Sequence, residues 1–316
     1  MRSLILNISL ILLASSAFAG FTFEPAEKEG FLLKEGDTPI MVYQDQFTKL
    51  PKRVDELFKR MGYFHPVYGL DGEIMTQDFP LDHRHHRGIF WSWPQSLAGD
   101  RKINIWEMDD ARQHLVAAPK FEEVEGKAHL SLEQAWRWDD TPDKDIVGEH
   151  IEVVVHPATD LGRAMDFSIT LTNLYDQDLK LMGQTTDNKG YGGFSIRPDA
   201  QRKPFIFTAT DGVVPEDALE YNTPWADISY PTERKGEKLS GAAIFQHGDL
   251  PGFPHKGWLF RNYAFLGQSW PHTNPTTLKP GESVTLKYRI YLHRGDAKAG
   301  KVAEAYADFV KETAGR

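Results

Sequence analysis

Two stretches of the chain alternate apolar and polar residues without a break. Over 165–172, Met165, Phe167, Ile169 and Leu171 share one face and polar side chains take the other. Over 285–292, Leu286, Tyr288, Ile290 and Leu292 do the same. A period of two is that of a strand with one face in a core. Shorter apolar runs predict strands over 151–155, 205–209 and 241–246, and one continuous strand over 258–266. Turns fall at Asp71-Gly72, Asp211-Gly212 and Pro280-Gly281. Helical periodicity is rare. Asp296 is placed to cap a helix over 297–312 with an apolar stripe of Val302, Tyr306, Phe309 and Val310, and a short second helix fits 54–61. Many strands and one terminal helix predict an all-β chain: a large antiparallel β-sandwich with a C-terminal α-helix, one domain over 20–316.

The first 19 residues belong to a different pattern. Arg2, the apolar run Leu4 to Ala14 and the small-x-small site Ala17-Phe18-Ala19 read as a secretory signal peptide. No later stretch approaches the ~18–20 apolar residues of a membrane span. The expectation is an exported protein, periplasmic or secreted. With no cysteine in the chain, disulfides, thiolate metal sites and cysteine nucleophiles are excluded. The net charge of −9, with both signs interspersed, argues against a nucleic-acid partner. An acidic polysaccharide would need a local basic patch, for which Arg84, Arg87 and Arg101 are available.

The chemistry concentrates in Asp82-His83-Arg84-His85-His86-Arg87-Gly88, which precedes Ile89-Phe90-Trp91-Ser92-Trp93. Three of the 12 histidines lie within four positions. Imidazoles suit proton transfer, metal ligation or hydroxyl recognition. In an extended segment His83 and His85 would share one face and Arg84 and His86 the other, so only a bend or bulge lets all of them line one pocket. The expected pocket joins His83, His85, His86 and Arg87, with Trp91 or Trp93 as its wall. Glu107 and Asp227, each beside a tryptophan, are the distant carboxylates best placed to act as acids. A converging pair would suit glycoside hydrolysis. His65, Asp82, Trp225, His255 and Trp258 join Arg87, Trp91 and Trp93 as substrate-binding candidates, because sugar C–H faces pack on aromatic rings while hydroxyls bond polar neighbours.

A divalent metal at the histidine cluster is an alternative. His83, His85 and Asp82 are suitable ligands, but a strand supplies at most two, so His65, His247, His255 or His272 would have to complete the set. Gly190-Tyr191-Gly192-Gly193 lacks the spacing and lysine of a phosphate loop and reads as a tight turn or bulge. Ser92 and Ser195 lie in no nucleophile elbow.

The chain resembles the bacterial PmoA-like family of unknown function, often labelled "methane oxygenase". The resemblance rests on His65-Pro66-Val67-Tyr68, Asp78-Phe79-Pro80, the histidine block, Asn104-Ile105-Trp106-Glu107, Gly192 to Arg197, Pro224-Trp225-Ala226-Asp227, His255-Lys256-Gly257-Trp258 and Leu278 to Glu282. Arg84 stands where that family usually has proline. A second, weaker resemblance, on Leu171-Thr172-Asn173 and Asp176-Gln177-Asp178-Leu179, is to the galactose-mutarotase-like supersandwich. It implies histidines, an arginine and a carboxylate in a sugar cleft, although Glu282 sits in a turn motif and makes a poor counterpart of the late catalytic glutamate. Three functions stay open: an exported carbohydrate-active enzyme (glycoside hydrolase, lyase or sugar epimerase in type), a non-catalytic carbohydrate-binding protein, and a metal-dependent oxidoreductase as the family label suggests.

Overall fold

The computed structural model describes residues 20–314. The leader read over 1–19 lies outside them. An eight-stranded antiparallel sheet runs in the order Phe21–Pro25, Phe31–Glu35, Thr38–Gln44, Tyr63–Val67, Ile89–Ser92, Gly193–Ile196, Phe265–Gln268 and Trp258–Arg261. A nine-stranded one runs Gly212–Val214, Ile206–Ala209, Trp225–Pro231, Leu239–Gln246, Ser283–Arg294, Gly162–Asn173, Val147–Val155, Lys127–Trp138 and Ala111–Val124. A four-stranded sheet, Thr276–Leu278, Leu179–Leu181, Ser96–Ala98 and Arg101–Ile103, adds Ala98, Leu179, Leu181 and Leu278 to the same core.

The alternating stretches form the centre of this sandwich. Ile169 pairs with Ile151 on one side and Leu286 on the other, and Phe167 lies between Val153 and Tyr288. All six are buried. Their rings meet the other sheet: Phe64 abuts Phe167 edge-on at 5.7 Å and Phe194 stacks on Tyr288 at 4.8 Å. Each such side chain contributes roughly 1.5–3 kcal/mol by leaving water. The sandwich with a C-terminal helix is the architecture the pattern predicts.

Three elements differ from expectation. The terminal helix spans Val302–Thr313 rather than starting at 297. Asp296 instead receives the Ala299 N–H in the turn before it, and Lys301 passes through the left-handed region (φ 51°) to start the helix. Val302 and Phe309 then cover Trp225, Phe245 and Tyr291, which is why Ser283–Arg294 is buried on both faces near its end. Val54 to Met61 holds only the 3-10 turn Glu56–Phe58, because a segment this short lacks the apolar stripe that would stabilise a helix. Finally, 258–266 is a hairpin, Trp258–Arg261 with Phe265–Gln268, turning at Asn262, Tyr263 and Ala264. That turn proves central to the site.

Candidate functional site

The histidine block is bent. The His86 N–H donates to the His83 carbonyl at 2.9 Å, closing a turn with Arg84 and His85 at its corner. A strand would have sent alternate side chains to opposite faces, whereas the turn gathers the three imidazoles. His83 and His86 stack with ring centres 4.7 Å apart and 7° between planes, and His85 meets His86 edge-on at 4.5 Å. Buried guanidiniums hold the turn from behind. Arg87 donates to the carbonyls of Arg84 (2.7 Å), His86 (2.8 Å) and Phe58 (2.5 Å), and its Nε faces Asp78 at 3.2 Å. Arg60 donates to the carbonyls of His85 (3.3 Å) and Ile105 (2.7 Å), tying two loops together. Gly88 lets the chain leave the turn: a Cβ there would lie 2.1 Å from the Phe64 carbonyl oxygen.

Three further loops complete a cleft of about 250 Å³. Buried Asn104 accepts the N–H groups of Trp106 (3.1 Å) and Glu107 (2.9 Å), and its amide donates to the Glu107 carboxylate at 3.0 Å. That small turn aims Trp106 and Glu107 at the histidines. The loop through Gly190 (φ 65°), Gly192 (φ 147°) and Gly193 (φ 81°) brings Gln184, Lys189 and Tyr191, so the glycine run is a turn as expected, and one that builds a wall. The hairpin tip supplies Arg261 and Tyr263, whose ring stacks on His83 at 4.5 Å and whose hydroxyl donates to the Tyr191 oxygen at 3.3 Å. A second hollow of about 110 Å³ shares Trp106, Glu107, Gln184 and Tyr191 and extends the cleft toward Gln95 and Lys102. Together they approach the lower end of small-molecule pockets, roughly 300–1,000 Å³. A larger hollow, about 440 Å³, lies over Lys120, Glu122, His129 and Glu152, but only exposed and half-buried side chains of neighbouring strands line it.

The cleft imidazoles sit in a positive environment. Burial, then the charges of His83, Arg60, Arg87 and Arg197, push the His85 pKa down to about 3. Burial, then His85 and Arg197, hold His86 well below its ordinary value. Arg197 donates from Nη1 to His86 Nδ1 at 3.2 Å, and a guanidinium only donates, so the His86 proton is on Nε2. Arg197 also grips both Asp82 oxygens at 2.7 and 2.9 Å. Burial raises the Asp82 carboxyl, but bonds from Arg197 and His83 outweigh it and hold it below the usual carboxylate range. Burial, then the nearby Tyr191 hydroxyl, raises Tyr263. The result is two uncharged imidazoles, His85 and His86, with amides and phenols, flanked by cations. Such groups bond hydroxyls and anions.

Of the residues singled out from the sequence, His83, His85, His86 and Glu107 line the cleft, and Asp82 stands just behind His83. The others lie elsewhere. Asp227 is fully enclosed, bonded to Ser229 (2.6 Å) and His293 (2.8 Å), so it does not converge with Glu107. Arg87 is spent on carbonyls behind the turn. Trp91 and Trp93 are core residues whose indoles donate to Glu149 (3.2 Å) and the Trp270 carbonyl (2.7 Å), so Trp106, Tyr191 and Tyr263 form the wall instead. Trp225 packs under the C-terminal helix, and Trp258 donates inward to the Thr223 carbonyl. His65 bonds Thr76 at 2.9 Å, and His255 meets Gln268 at 3.1 Å. None of these lines the cleft. For a metal, His83 and His86 stack face to face and His85 meets both edge-on, and His65, His247, His255 and His272 lie outside the lining. Among the described residues no group of three or more histidine, aspartate and glutamate side chains is arranged to hold an ion. Nor is any helix among them long and apolar enough to cross a membrane.

Residues 31–307 match the model of a family of unknown function, DUF6807. The chain belongs to that family. The match gives no support to the methane-oxygenase label, because the DUF6807 family carries no assigned activity. No curated protein matches this DUF6807 chain. Among solved structures it is similar to a putative kojibiose phosphorylase from the human microbiome (8% identity, TM-score 0.32, 69% of this chain and 24% of that one). It is also similar to a polysaccharide lyase (12% identity, TM-score 0.32, 89% and 33%) and to a 4-alpha-glucanotransferase from Thermococcus litoralis (8% identity, TM-score 0.28, 87% and 37%). The DUF6807 chain therefore spans well under half of each of these proteins. Likeness this distant says nothing of activity.

Proposed function

We propose that the chain is an exported carbohydrate-active protein that holds a sugar in the histidine cleft. One observation carries the reading: the rings of His83, Tyr191 and Tyr263 line one cleft with Gln184 and the imidazole of His85, which bonds no protein group among the described residues. Sugar C–H faces pack on such rings while hydroxyls bond the polar edge. Export follows from the leader pattern of residues 1–19.

The enzymatic form of this reading assigns proton transfer to His85, with Glu107 across the cleft. It expects His85→Ala to lower turnover of a cleaved or epimerised glycan by about 10²–10⁴-fold with little change in affinity. One observation favours a purely binding role: an imidazole with a pKa of about 3 is a weak proton acceptor near neutrality. A glycan library assayed by calorimetry and by product release decides. Product from any member supports the enzyme, binding without product supports the binder, and neither from any member overturns both.

A further inference from the structure

We propose that the sugar bound in this cleft is acidic, a uronate whose carboxylate lies against Arg261 and Lys189. The inference rests on the reading of the cleft as a sugar site and adds the charge of the ligand.

Charge matching around the cleft points this way. Behind the histidines, Asp82 is taken by Arg197 and Asp78 by Arg87. Arg60 is different. It is buried at 1% exposure and bonds only the carbonyls of His85 and Ile105, so its positive charge has no hydrogen-bonded carboxylate, and desolvation followed by Arg87 lowers its pKa to about 9. The guanidiniums of Arg60, Arg87 and Arg197 act on His85, and those of Arg197 and Arg60 on His86. On the open side, Asp217 reaches the Arg261 guanidinium at Nε, 3.2 Å away, leaving the terminal nitrogens unpaired among the described residues. Those two nitrogens are the fork that grips a planar carboxylate side by side. Tyr263 and Tyr191 lie 5.4 and 5.9 Å from the guanidinium carbon and limit where it can swing. Lys189, paired only with exposed Asp187, adds a second cation from the glycine-rich loop. Glu107 is the one carboxylate in the lining, held by Asn104. A neutral sugar needs donors and acceptors in balance, whereas this lining has an excess of donors.

A bound carboxylate would also act on the imidazoles. An anion near His85 opposes the field of Arg60, Arg87 and Arg197, raises its pKa and makes it a better proton acceptor. Binding should then take up protons below neutral pH.

The test is calorimetry of the mature chain with galacturonate and glucuronate trisaccharides, their galactose and glucose counterparts, and a sulfated trisaccharide. The uronates should bind at least tenfold tighter than the neutral sugars, with the advantage shrinking as salt rises. Arg261→Gln should lower uronate affinity about tenfold more than it lowers neutral-sugar affinity, and Lys189→Gln, at an exposed position, should discriminate less. Equal affinity for acidic and neutral sugars overturns the inference while the sugar site stands, as does an Arg261→Gln effect of the same size on both. Tighter binding of the sulfated sugar than of the uronates overturns the carboxylate assignment. If no trisaccharide of any kind binds, the sugar reading fails and this inference with it.

Discussion

Imidazole and carboxylate meet in two very different places. His293 and Asp227 form a pair at 2.8 Å with both side chains at 0% exposure, in the nine-stranded sheet. The ring is boxed in: a Cβ on Gly241 or Gly300 would lie 2.3 or 2.2 Å from it. His83, in the cleft lining, and Asp82 behind it meet at 3.0 Å, both partly exposed. In the first place burial lowers the histidine pKa, but the charge and bond of Asp227 outweigh it and raise His293. In the second, Arg197 has claimed the carboxylate, and the neighbouring imidazoles are driven down instead. Burial acts in the same direction in both places; the bonded Asp227 reverses it at His293, whereas neighbouring positive charges add to it at His85 and His86. The enclosed pair holds strands together, and the uncharged His85 is left to meet a ligand.

The largest way to break this contrast is Asp227→Ala. It leaves His293 buried without its partner, and denaturant unfolding should show a loss of about 3–5 kcal/mol while ligand affinity of the folded fraction is kept. A stable variant that no longer binds would place Asp227 in the site after all.

The two regions should also respond to pH with opposite slopes. The folded pKa of His85, about 3, lies below the unfolded value near 6.5, so its contribution is present above ~6.5 and is lost as pH falls toward 3. His85→Gln removes that penalty. Relative to the parent, it should be more favourable at pH 5 than at pH 8 by roughly 1–2 kcal/mol, discounted for partial exposure. The folded pKa of His293 lies above its unfolded value, so its contribution is full below ~6.5 and fades as pH rises through the folded value. His293→Gln should accordingly cost more at pH 5 than at pH 8. Parallel slopes in thermal melts would contradict the contrast.

The smallest effect concerns the hairpin that carries Tyr263. Ala264 occupies the left-handed region (φ 73°), where an L side chain costs about 1 kcal/mol, and glycine's extra freedom in the unfolded chain offsets part of any relief. Ala264→Gly should raise stability by about 0.5 kcal/mol, measured by chemical unfolding, with a modest loss of ligand affinity as the tip loosens.

The strand over 165–172 was legible because period two survives only when the two faces differ, although Ala111–Val124 and Lys127–Trp138, whose outer faces are also less buried, were not read as strands. The run 258–266 misled for the opposite reason. Its apolar residues on both sides of Arg261-Asn262 are buried, so the turn left little polar signal, and Arg261 and Tyr263 were missed with it. The tryptophans beside polar residues suggested a sugar wall, but most point their N–H groups to acceptors inside the core. Trp106, Tyr191 and Arg197 did lie inside blocks read from the sequence. What failed was orientation, which depends on the Asn104 turn and the glycine-rich loop rather than on spacing. The histidine cluster itself was evident, and the turn that unites it came from a backbone bond and two buried arginines that no periodicity reports.

The most direct test of the site is a histidine-labelled NMR titration of residues 20–316 with a glycan that binds them. Ring resonances of His83, His85 and His86 should shift on binding while those of His293 stay fixed. Saturable binding that leaves all three cleft imidazoles unmoved, or that moves His293 instead, would contradict the cleft as the site.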